Sequence, residues 1–387
     1  MTLLAAVVAL FWLRALLVTW RDLRRAPRLS GTPSTPPTTP PRVSVIIPAR
    51  NEAANIERCV RSVLAQSWPH LEVIAVDDRS EDATGDILAR LATEDQRLRV
   101  IQGSPLPPGW MGKNHACAQG AALATGDRLL FTDADSDHGP HCLALALAEA
   151  DRLTADLLTL LPHQVCVSTG EKFLQPAFWG LLLSLESFAS INAGATRSPA
   201  ANGQFLLFKR STYDAVGGHA GVKDRVVDDL ALGRAVLDGG LKLRVAIGTE
   251  VLRVRMYTSL GEVWWGYVKN FFAGPALVTR AERSTLRFVL ALALAILLCA
   301  WVVALGLVPV VGLFLPPPTA ALCGLALALA LATRVIQNRK FFALSPFWAL
   351  TLPLGHLFVA GMGLHSTFRA LTGAGPRWKG RTYAGVR

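Results

Sequence analysis

Residues 43–52 read VSVIIPARNE, and this stretch decides the fold class. Its first part, VSVII, is short and rich in β-branched residues, which predicts a buried strand. The proline and the polar residues that follow mark the end of that strand. Ligands of open α/β sheets bind beyond the carboxyl ends of the strands, so Arg50, Asn51 and Glu52 are aimed at a binding crevice. The plainer interpretation is a helix start with Asn51 near the N-cap.

The pattern of this first strand recurs along the chain that follows. Short apolar runs predict further strands, and the amphipathic segments between them predict helices. Strands that alternate with helices indicate an α/β fold with a mainly parallel sheet. The predicted strands are LEVIAV (71–76), RLRVI (97–101) and RLLFTD (128–133), and the predicted helices cover about 53–66, 82–93 and 113–124.

Adjacent acids follow the second predicted strand, in VDDRSED (76–82). Two carboxylates at a buried strand end are costly unless they bind something. A carboxylate of Asp77 or Asp78 can accept a hydrogen bond from the N3–H of uracil or from a ribose hydroxyl. The alternative is a pair of solvated loop acids that cap the next helix.

A second acidic motif, FTDADSD (131–137), follows the last of these strands. Asp133 and Asp135 stand two residues apart as the strand runs into a loop. Oxygen ligands of this kind suit Mg²⁺ or Mn²⁺, with diphosphate oxygens and water completing the shell. The position of this motif after the two preceding motifs strengthens the prediction of a metal site.

The segment GWMGKNHA (109–116) places Lys113 at the head of a predicted helix. Anions are favoured at helix N-termini, which makes a donor phosphate one candidate partner of this lysine. An exposed lysine in a mobile loop is the alternative. The nearby His115, like His138 and His219, lies beside a motif, and its role stays open.

The segment VVDDLALGRA (226–235) opens an amphipathic helix with Asp228 and Asp229. One of these acids can serve as general base for an acceptor hydroxyl. Both are equally consistent with ordinary N-terminal acids favoured by the helix dipole. The spacing alone does not decide between these interpretations.

The composition indicates a membrane protein. The chain has 387 residues, a hydrophobic fraction of 51% and a net charge of +11. Basic residues flank the apolar segments, as at Arg24, Arg25, Arg339 and Lys340, which indicates topology and lipid contact and not a nucleic-acid groove. The six cysteines show no metal-ligand spacing and suit a reducing compartment.

Residues 2–20 are apolar apart from Arg14 and are followed by the basic RDLRR. A secretory signal would carry its charge before the apolar run, so we predict an uncleaved anchor. Positive charge after the anchor places the following domain in the cytoplasm. The Pro/Thr/Ser-rich stretch 26–41 is predicted to be an extended linker.

The C-terminal part is apolar again, with runs at 287–315, 319–333 and about 342–366. About 20 apolar residues are needed to span a bilayer, so the second run is slightly short. An anchor plus three spans would put the basic tail outside, whereas its charges favour the inside. Pro346 and Pro353 interrupt the third run, which a re-entrant or interfacial segment would explain.

The motifs PARNE, VDDRSED, GKNHA, DAD, NGQFLLF and VDDLALGR occur in this order, over about residues 42–260. Together they resemble a family 2 glycosyltransferase with the GT-A nucleotide-sugar-binding fold. The apolar C-terminal part and the tail WKGRTY (378–383) resemble the subgroup linked to carotenoid and hopanoid glycosylation. Processive members carry a Gln-x-x-Arg-Trp motif, and the corresponding GEVWWGYVKN (261–270) lacks it, which argues against polymer synthesis.

The resemblance assigns roles to individual residues. It implies that Asp229 is the catalytic base, preceded by Asp228 where the family usually has Glu. Asp135 would be the direct ligand of a divalent cation, Mn²⁺ or Mg²⁺, with Asp133 as its partner in the metal-binding pair. The residues implied at the nucleotide-sugar pocket are Pro48, Ala49, Glu52 and Asp78, with Asp77 close by, together with Asp133 and the phosphate candidate Lys113.

We therefore expect a GT-A domain attached to a multi-pass cell-membrane region, with the catalytic domain cytoplasmic. The expected activity is inverting, metal-dependent transfer of a sugar from a nucleotide sugar, a UDP-sugar as first choice, to a lipid-like isoprenoid, carotenoid or hopanoid acceptor. A polyprenyl-phosphate or exopolysaccharide sugar transferase and a non-catalytic nucleotide-sugar-binding protein are the alternatives. The expected segments are an anchor (1–25), a linker (26–41), the GT-A domain (42–260), an interfacial amphipathic segment (261–285), a transmembrane region (286–366) and a basic cytoplasmic tail (367–387).

Overall fold

The computed structural model describes residues 1–33, 39–271, 285–372, 374, 377–378 and 381–382. The strands are β1 Val43–Ala49, β2 Leu71–Asp77, β3 Leu98–Gln102, β4 Arg128–Phe131, β5 Ser136–His138, β6 Leu157–Leu161, β7 His163–Gln164, β8 Leu206–Lys209, β9 Leu243–Ile247, β10 Leu252–Val254, β11 Arg377–Trp378 and β12 Arg381–Thr382. The helices are α1 Thr2–Arg25, α2 Ile56–Leu64, α3 Thr84–Glu94, α4 Gly112–Leu123, α5 Cys142–Arg152, α6 Thr169–Leu185, α7 Phe188–Asn192, α8 Arg210–Ala215, α9 Gly218–Gly221, α10 Asp228–Asp238, α11 Leu260–Phe271, α12 Thr285–Val311, α13 Pro317–Phe341 and α14 Leu352–Leu371.

A seven-stranded sheet in the order β3-β2-β1-β4-β8-β6-β9 forms the centre of the catalytic domain. Its neighbours pair in parallel except at β8, which is antiparallel to both β4 and β6. The predicted mainly parallel sheet flanked by helices is confirmed. In the register, Ala49 lies opposite Asp77, and Ile46 lies opposite Phe131. The carboxyl ends of β1, β2 and β4 therefore meet at one edge.

The continuous apolar run of β1 follows from burial on both faces. Val45 and Ile47 belong to one core cluster, and Ile46 belongs to the cluster on the opposite side of the sheet. A strand covered by helices on both faces needs no polar alternation. The helix after β1 begins at Ile56 with Asn55 as its N-cap, so the alternative that placed Asn51 near the N-cap is wrong.

Two helices connect this domain to the membrane region. The first, α6, begins with a capping box between Ser168 and Glu171. It packs on the second, α11, where the rings of Phe178 and Tyr267 stack with centroids 3.8 Å apart. The α11 helix occupies the first part of the predicted interfacial segment. The remainder, residues 272–284, lies outside the described residues.

Among the described residues, four helical segments are long and apolar enough to cross a membrane, judged by length and composition. They are Thr2–Arg25, Leu292–Phe314, Pro317–Phe341 and Pro346–Leu371. The second predicted run is longer than its hydropathy indicated, because α13 continues to Phe341 through residues whose polar side chains are buried in the protein.

The direction of α13 is fixed by its contacts with α1. The hydroxyls of Thr2 and Thr319, near the two N-termini, lie 2.6 Å apart. Toward the other end, Gln337 Nε2 donates to Thr19 Oγ1 at 3.2 Å. The two helices therefore run parallel, and both end near the catalytic domain.

The segment that follows α13 begins and ends against the catalytic domain. At its start, Phe342 shares an apolar cluster with Ile247 of β9. At its end, Ala370 packs on a small cluster of Met111 and Val226, two residues that adjoin the predicted active-site motifs. The sequence left a re-entrant or interfacial segment open here, and both ends of the segment contact the catalytic domain.

The first residues of the predicted linker form backbone hydrogen bonds with β9, the edge strand of the sheet. The amide of Leu29 donates to the carbonyl of Ile247 at 2.9 Å, and the amide of Ile247 donates to the carbonyl of Pro27 at 2.8 Å. The first part of the linker is thus held against β9, while residues 34–38 lie outside the described residues.

Candidate active site

A lysine and three acids meet beyond the carboxyl end of β4. Lys113, from the start of α4, places its Nζ 2.7 Å from Asp133 Oδ1 and 3.6 Å from Asp228 Oδ2. Burial disfavours the charged lysine, but the neighbouring carboxylates outweigh it and hold the pKa of Lys113 well above its usual value. The sequence assigned Lys113 to a phosphate, and its contacts in the structure are with these acids.

Asp229 lies next to this ion cluster, at the first turn of α10. Its Oδ2 accepts from the amide of Gly203 at 2.7 Å, and its Oδ1 accepts from the amide of Leu230 at 2.8 Å. Burial and then the charge of Asp228 raise the pKa of Asp229 to about 6. A carboxyl group with such a pKa is suited to exchange a proton near neutral pH.

Asp228, the residue directly before Asp229, has the opposite electrostatic environment. Burial favours its neutral form, but Lys113 and then His219, whose Nε2 lies 3.8 Å from Asp228 Oδ2, lower its pKa. Two adjacent acids whose pKa values are pushed apart can take different roles. Asp228 suits a fixed negative charge, and Asp229 suits a proton acceptor.

Gly203 is a site residue that the sequence quoted only as part of NGQFLLF. A Cβ at this position would lie 2.9 Å from Lys113 Nζ and 3.3 Å from Asp229 Oδ2. The following Gln204 is buried, and its carbonyl accepts from Thr132 Oγ1 at 2.8 Å. This loop therefore packs directly against the ion cluster, and its glycine makes the close approach sterically feasible.

Asp133 and Asp135 flank the turn between β4 and β5, and both are half-buried. The carbonyl of Asp133 accepts from the amide of Ser136 at 3.1 Å, which closes this turn. In the described part of the chain, no three metal-binding side chains gather at one point. Two carboxylates are nevertheless a suitable hard-oxygen set for Mg²⁺ or Mn²⁺ when diphosphate oxygens and water complete the shell. The donor chemistry thus fits a cation that binds together with the nucleotide.

Asp77, the last residue of β2, and the following Asp78 are buried rather than solvated, which excludes the alternative of two solvated loop acids. Asp77 Oδ1 accepts from the amide of Ser80 at 2.9 Å and so orders the loop after β2. The amide of Asp78 donates to the carbonyl of Ala49 at 2.7 Å, which fixes it beside the end of β1. Burial raises the pKa of Asp78, although a nearby arginine opposes this.

The residues predicted at the end of β1 lie at this same edge. Pro48 lines a small pocket together with Lys113 and Asp133. Glu52 Oε2 accepts from Asn55 Nδ2 at 3.1 Å. The structure thus gathers the predicted residues at two neighbouring places, the loop of Asp78 and the ion cluster of Lys113.

The three histidines near the motifs occupy different surroundings. His138 is buried with its Nε2 3.0 Å from Thr132 Oγ1, and burial lowers its pKa to about 4. His219 is also buried, with Nδ1 2.9 Å from the hydroxyl of Tyr213. His138 thus packs within the fold, His219 lies beside Asp228, and His115 lies near the Asp78 loop and is influenced by its charge.

Two basic residues from the C-terminal third of the chain lie near the site, although the sequence did not place them there. Lys269 of α11 is electrostatically coupled to Lys113 and the neighbouring acids, and burial and Lys113 lower its pKa. Arg381 of β12 forms an ion pair with Asp78. Both come from segments far along the chain, so local sequence patterns carried no signal for these contacts.

The catalytic domain is similar to a known protein family. Residues 44–224 match the model of the family described as Glycosyl transferase family 2. This match supports the predicted glycosyltransferase domain.

Curated relatives include the 4,4'-diaponeurosporenoate glycosyltransferases of Staphylococcus aureus. The protein of strain USA300 is 29% identical over 247 residues, which cover 61% of this chain and 64% of the relative. The protein of strain MRSA252 is 29% identical over 241 residues, which cover 60% and 62%. The chain thus matches less than two thirds of the length of these relatives. The predicted resemblance to carotenoid-associated family 2 members is confirmed.

Among solved structures, the chain is similar to the mannosyltransferase PcManGT from Pyrobaculum calidifontis, which was solved in complex with GDP-Man and Mn²⁺. The TM-score is 0.53 and the sequence identity 20%, with 96% of this chain and 98% of that chain covered. This likeness supports the predicted GT-A fold.

Proposed function

We propose that this protein is an inverting, metal-dependent glycosyltransferase that moves a sugar from a nucleotide sugar to a lipid-like acceptor at the membrane surface. The observation that carries the proposal is the pair Asp228 and Asp229, whose pKa values are pushed apart beside Lys113 and Asp133. This arrangement combines a proton acceptor with a charged site for a diphosphate. Such a combination is what transfer from a nucleoside diphosphate requires.

In the proposed reaction, Asp229 takes the proton of an acceptor hydroxyl. The acceptor oxygen attacks the anomeric carbon from the side opposite the departing nucleoside diphosphate, which inverts the configuration there. The amide of Gly203 fixes Asp229 Oδ2 at 2.7 Å, so the base is held in one orientation before the acceptor arrives. Pre-organisation of this kind lowers the barrier without a cost at the moment of reaction.

Lys113 and Asp228 contribute fixed charges. The raised pKa of Lys113 keeps it cationic over the whole physiological range, and Asp228 holds its Nζ from 3.6 Å. A cation at this position favours negative charge on a departing diphosphate. Asp133 and Asp135 would hold a divalent cation, which neutralises charge on the diphosphate when bound.

The proposed acceptor is an isoprenoid-type lipid with a carboxylate or hydroxyl end. Support comes from α14, whose Ala370 packs on Met111 and Val226 beside the site, and from the relatives, whose name specifies a diaponeurosporenoate. Basic residues at the domain-side ends of α1 and α13 favour a cytoplasmic catalytic domain. The donor is proposed to be a UDP-sugar, with GDP-sugars as the second class to test, because the similar mannosyltransferase was solved with GDP-Man.

The test is transfer by isolated membranes supplied with a panel of UDP- and GDP-sugars, with and without Mn²⁺ or Mg²⁺. We expect cation-dependent turnover of one donor by the wild type and its loss in Asp135→Ala. Asp86→Ala, at an exposed acid of α3, is the control and should retain activity. Products formed from carotenoid acids, hopanoids and polyprenyl phosphate separate the acceptor classes. Folded wild-type protein that turns over no donor would support the non-catalytic binding protein instead.

A further inference from the structure

The described residues of the C-terminal tail contact the catalytic domain. Ala370, at the end of α14, packs on Met111 and Val226. The short strand β11 lies against α11 and pairs antiparallel with β12, with Trp378 opposite Arg381. The end of the membrane region is therefore anchored on the catalytic domain before the chain reaches Arg381.

Arg381 contacts the innermost acid of the loop after β2. Its Nη1 lies 2.6 Å from Asp78 Oδ2, and its Nη2 donates to the carbonyl of Asp78 at 3.3 Å. The Asp78 side chain is 3% exposed and that of Arg381 is 19% exposed. Arg50 Nη1 also donates to the Asp78 carbonyl, at 2.8 Å. A residue 303 positions away thus supplies the ion-pair partner of a buried carboxylate.

This ion pair sits where a nucleotide base is expected. Asp78 follows the carboxyl end of β2, next to Ala49 at the end of β1, and ligands of open α/β sheets bind beyond such strand ends. To recognise the ring N–H of uracil or guanine, Asp78 must be an ionised acceptor. Burial alone favours the neutral carboxyl, and a paired guanidinium restores the charged form and fixes its orientation.

We propose that Arg381 is a donor-positioning residue, which the tail carries into the nucleotide pocket to hold Asp78 as an oriented carboxylate for the ring N–H of a uracil or guanine nucleoside diphosphate. This inference rests on the proposed function for the nature of the ligand. It adds to that function a part of the nucleotide site formed by the C-terminal tail. If the tail instead blocked the pocket, nucleotide binding would become tighter when the contact between Arg381 and Asp78 is removed.

The test is calorimetric binding of UDP and GDP, with Mn²⁺, to the full-length protein purified in detergent. We expect Arg381→Ala to weaken the tighter of the two by about tenfold or more, since a charge-assisted hydrogen bond is lost. Arg381→Lys should recover part of the affinity. Arg99→Ala, which removes an exposed arginine of β3, is the matched control and should bind as the wild type does.

Two readouts separate positioning from a structural effect. The donor KM of Arg381→Ala should rise by the same factor as the Kd, with kcat within about twofold of the wild type, since the contact acts on the base end of the donor. In an Asp78→Asn background, Arg381→Ala should cause no further loss, because the arginine acts through the carboxylate.

The inference would be overturned if Arg381→Ala bound the nucleotide as tightly as the wild type or more tightly. It would also be overturned if Arg381→Ala lowered the affinity of the Asp78→Asn variant as much as it lowers that of the wild type. If the wild type transfers sugar and Arg381→Ala binds nucleotide normally, only this inference fails. If binding depends on Arg381 but the wild type transfers no sugar, the proposed transfer fails and the positioning role stands.

Discussion

Asp228 and Asp229 are adjacent, and the surrounding charges distinguish them. Lys113 stabilises the ionised form of Asp228, whereas burial and the charge of Asp228 oppose ionisation of Asp229. The sequence alone left general base and helix-dipole acid equally open for this pair. The difference depends on Lys113, which lies more than a hundred residues earlier and reaches the pair only in the folded chain.

At the residue scale, the raised pKa of Asp229 predicts the pH dependence of kcat. The pKa is about 6, so the base is lost by protonation as the pH falls through this value. With a hydroxyl acceptor, we expect kcat to fall about tenfold per pH unit on the acidic side. A bound divalent cation lowers this pKa and moves the acidic limb to lower pH. The measurement is kcat from pH 5 to 8, and an unchanged acidic limb in Asp229→Asn would contradict the assignment.

At the scale of elements, the strands and their ends were predictable from the sequence. Buried apolar runs followed by polar residues identify β1, β2 and β4, and these strand ends carry most of the candidate site. The antiparallel direction of β8 was not predictable, because the apolar run FLLF has no directional signal. The length of α13 was underestimated because Arg334, Gln337 and Asn338 read as polar although the protein buries them.

The same elements predict a packing-sensitive contact between α6 and α13. A methyl group on Gly180 of α6 would overlap the guanidinium of Arg334, which donates to the carbonyl of Pro176. We expect Gly180→Ala to destabilise the membrane region by about 1–3 kcal/mol, since overpacking forces side chains apart. The matched control is Gly324→Ala on α13, where the nearest atom is at an ordinary contact distance of 3.7 Å. Thermal unfolding in detergent measures the loss of stability. Equal unfolding midpoints for Gly180→Ala and Gly324→Ala would contradict the close contact.

At the scale of the whole molecule, the C-terminal part of the chain contacts the catalytic domain beside the candidate site. By the sequence, an anchor plus three C-terminal spans would put the basic tail outside, whereas its charges favour the inside. In the structure, the segment after α13 starts and ends against the catalytic domain, and we propose that it is re-entrant. Hydropathy cannot distinguish a re-entrant segment from a crossing one, since both are apolar over a similar length.

This arrangement predicts that the C-terminus lies on the same side of the membrane as the catalytic domain. A green fluorescent protein fused after Arg387 should fluoresce, and alkaline phosphatase fused there should be inactive, as expected for the cytoplasm. Phosphatase fused at Leu315, between α12 and α13, should be active as the control for the opposite side. Active phosphatase at the C-terminus would show that the last segment crosses the membrane.

The most direct test of the central claim is sugar transfer by the purified full-length protein with Asp229→Asn, measured on a hydroxyl acceptor and on a carboxylate acceptor. Asp238→Asn, an exposed acid at the other end of α10, is the matched control. We predict that Asp229→Asn loses about 10²–10⁴-fold in kcat with the hydroxyl acceptor, because the general base is removed. The loss should be much smaller with the carboxylate, which is already ionised near neutral pH. Equal losses with both acceptors, or an Asp229→Asn variant as active as Asp238→Asn, would contradict the role of Asp229 as the base.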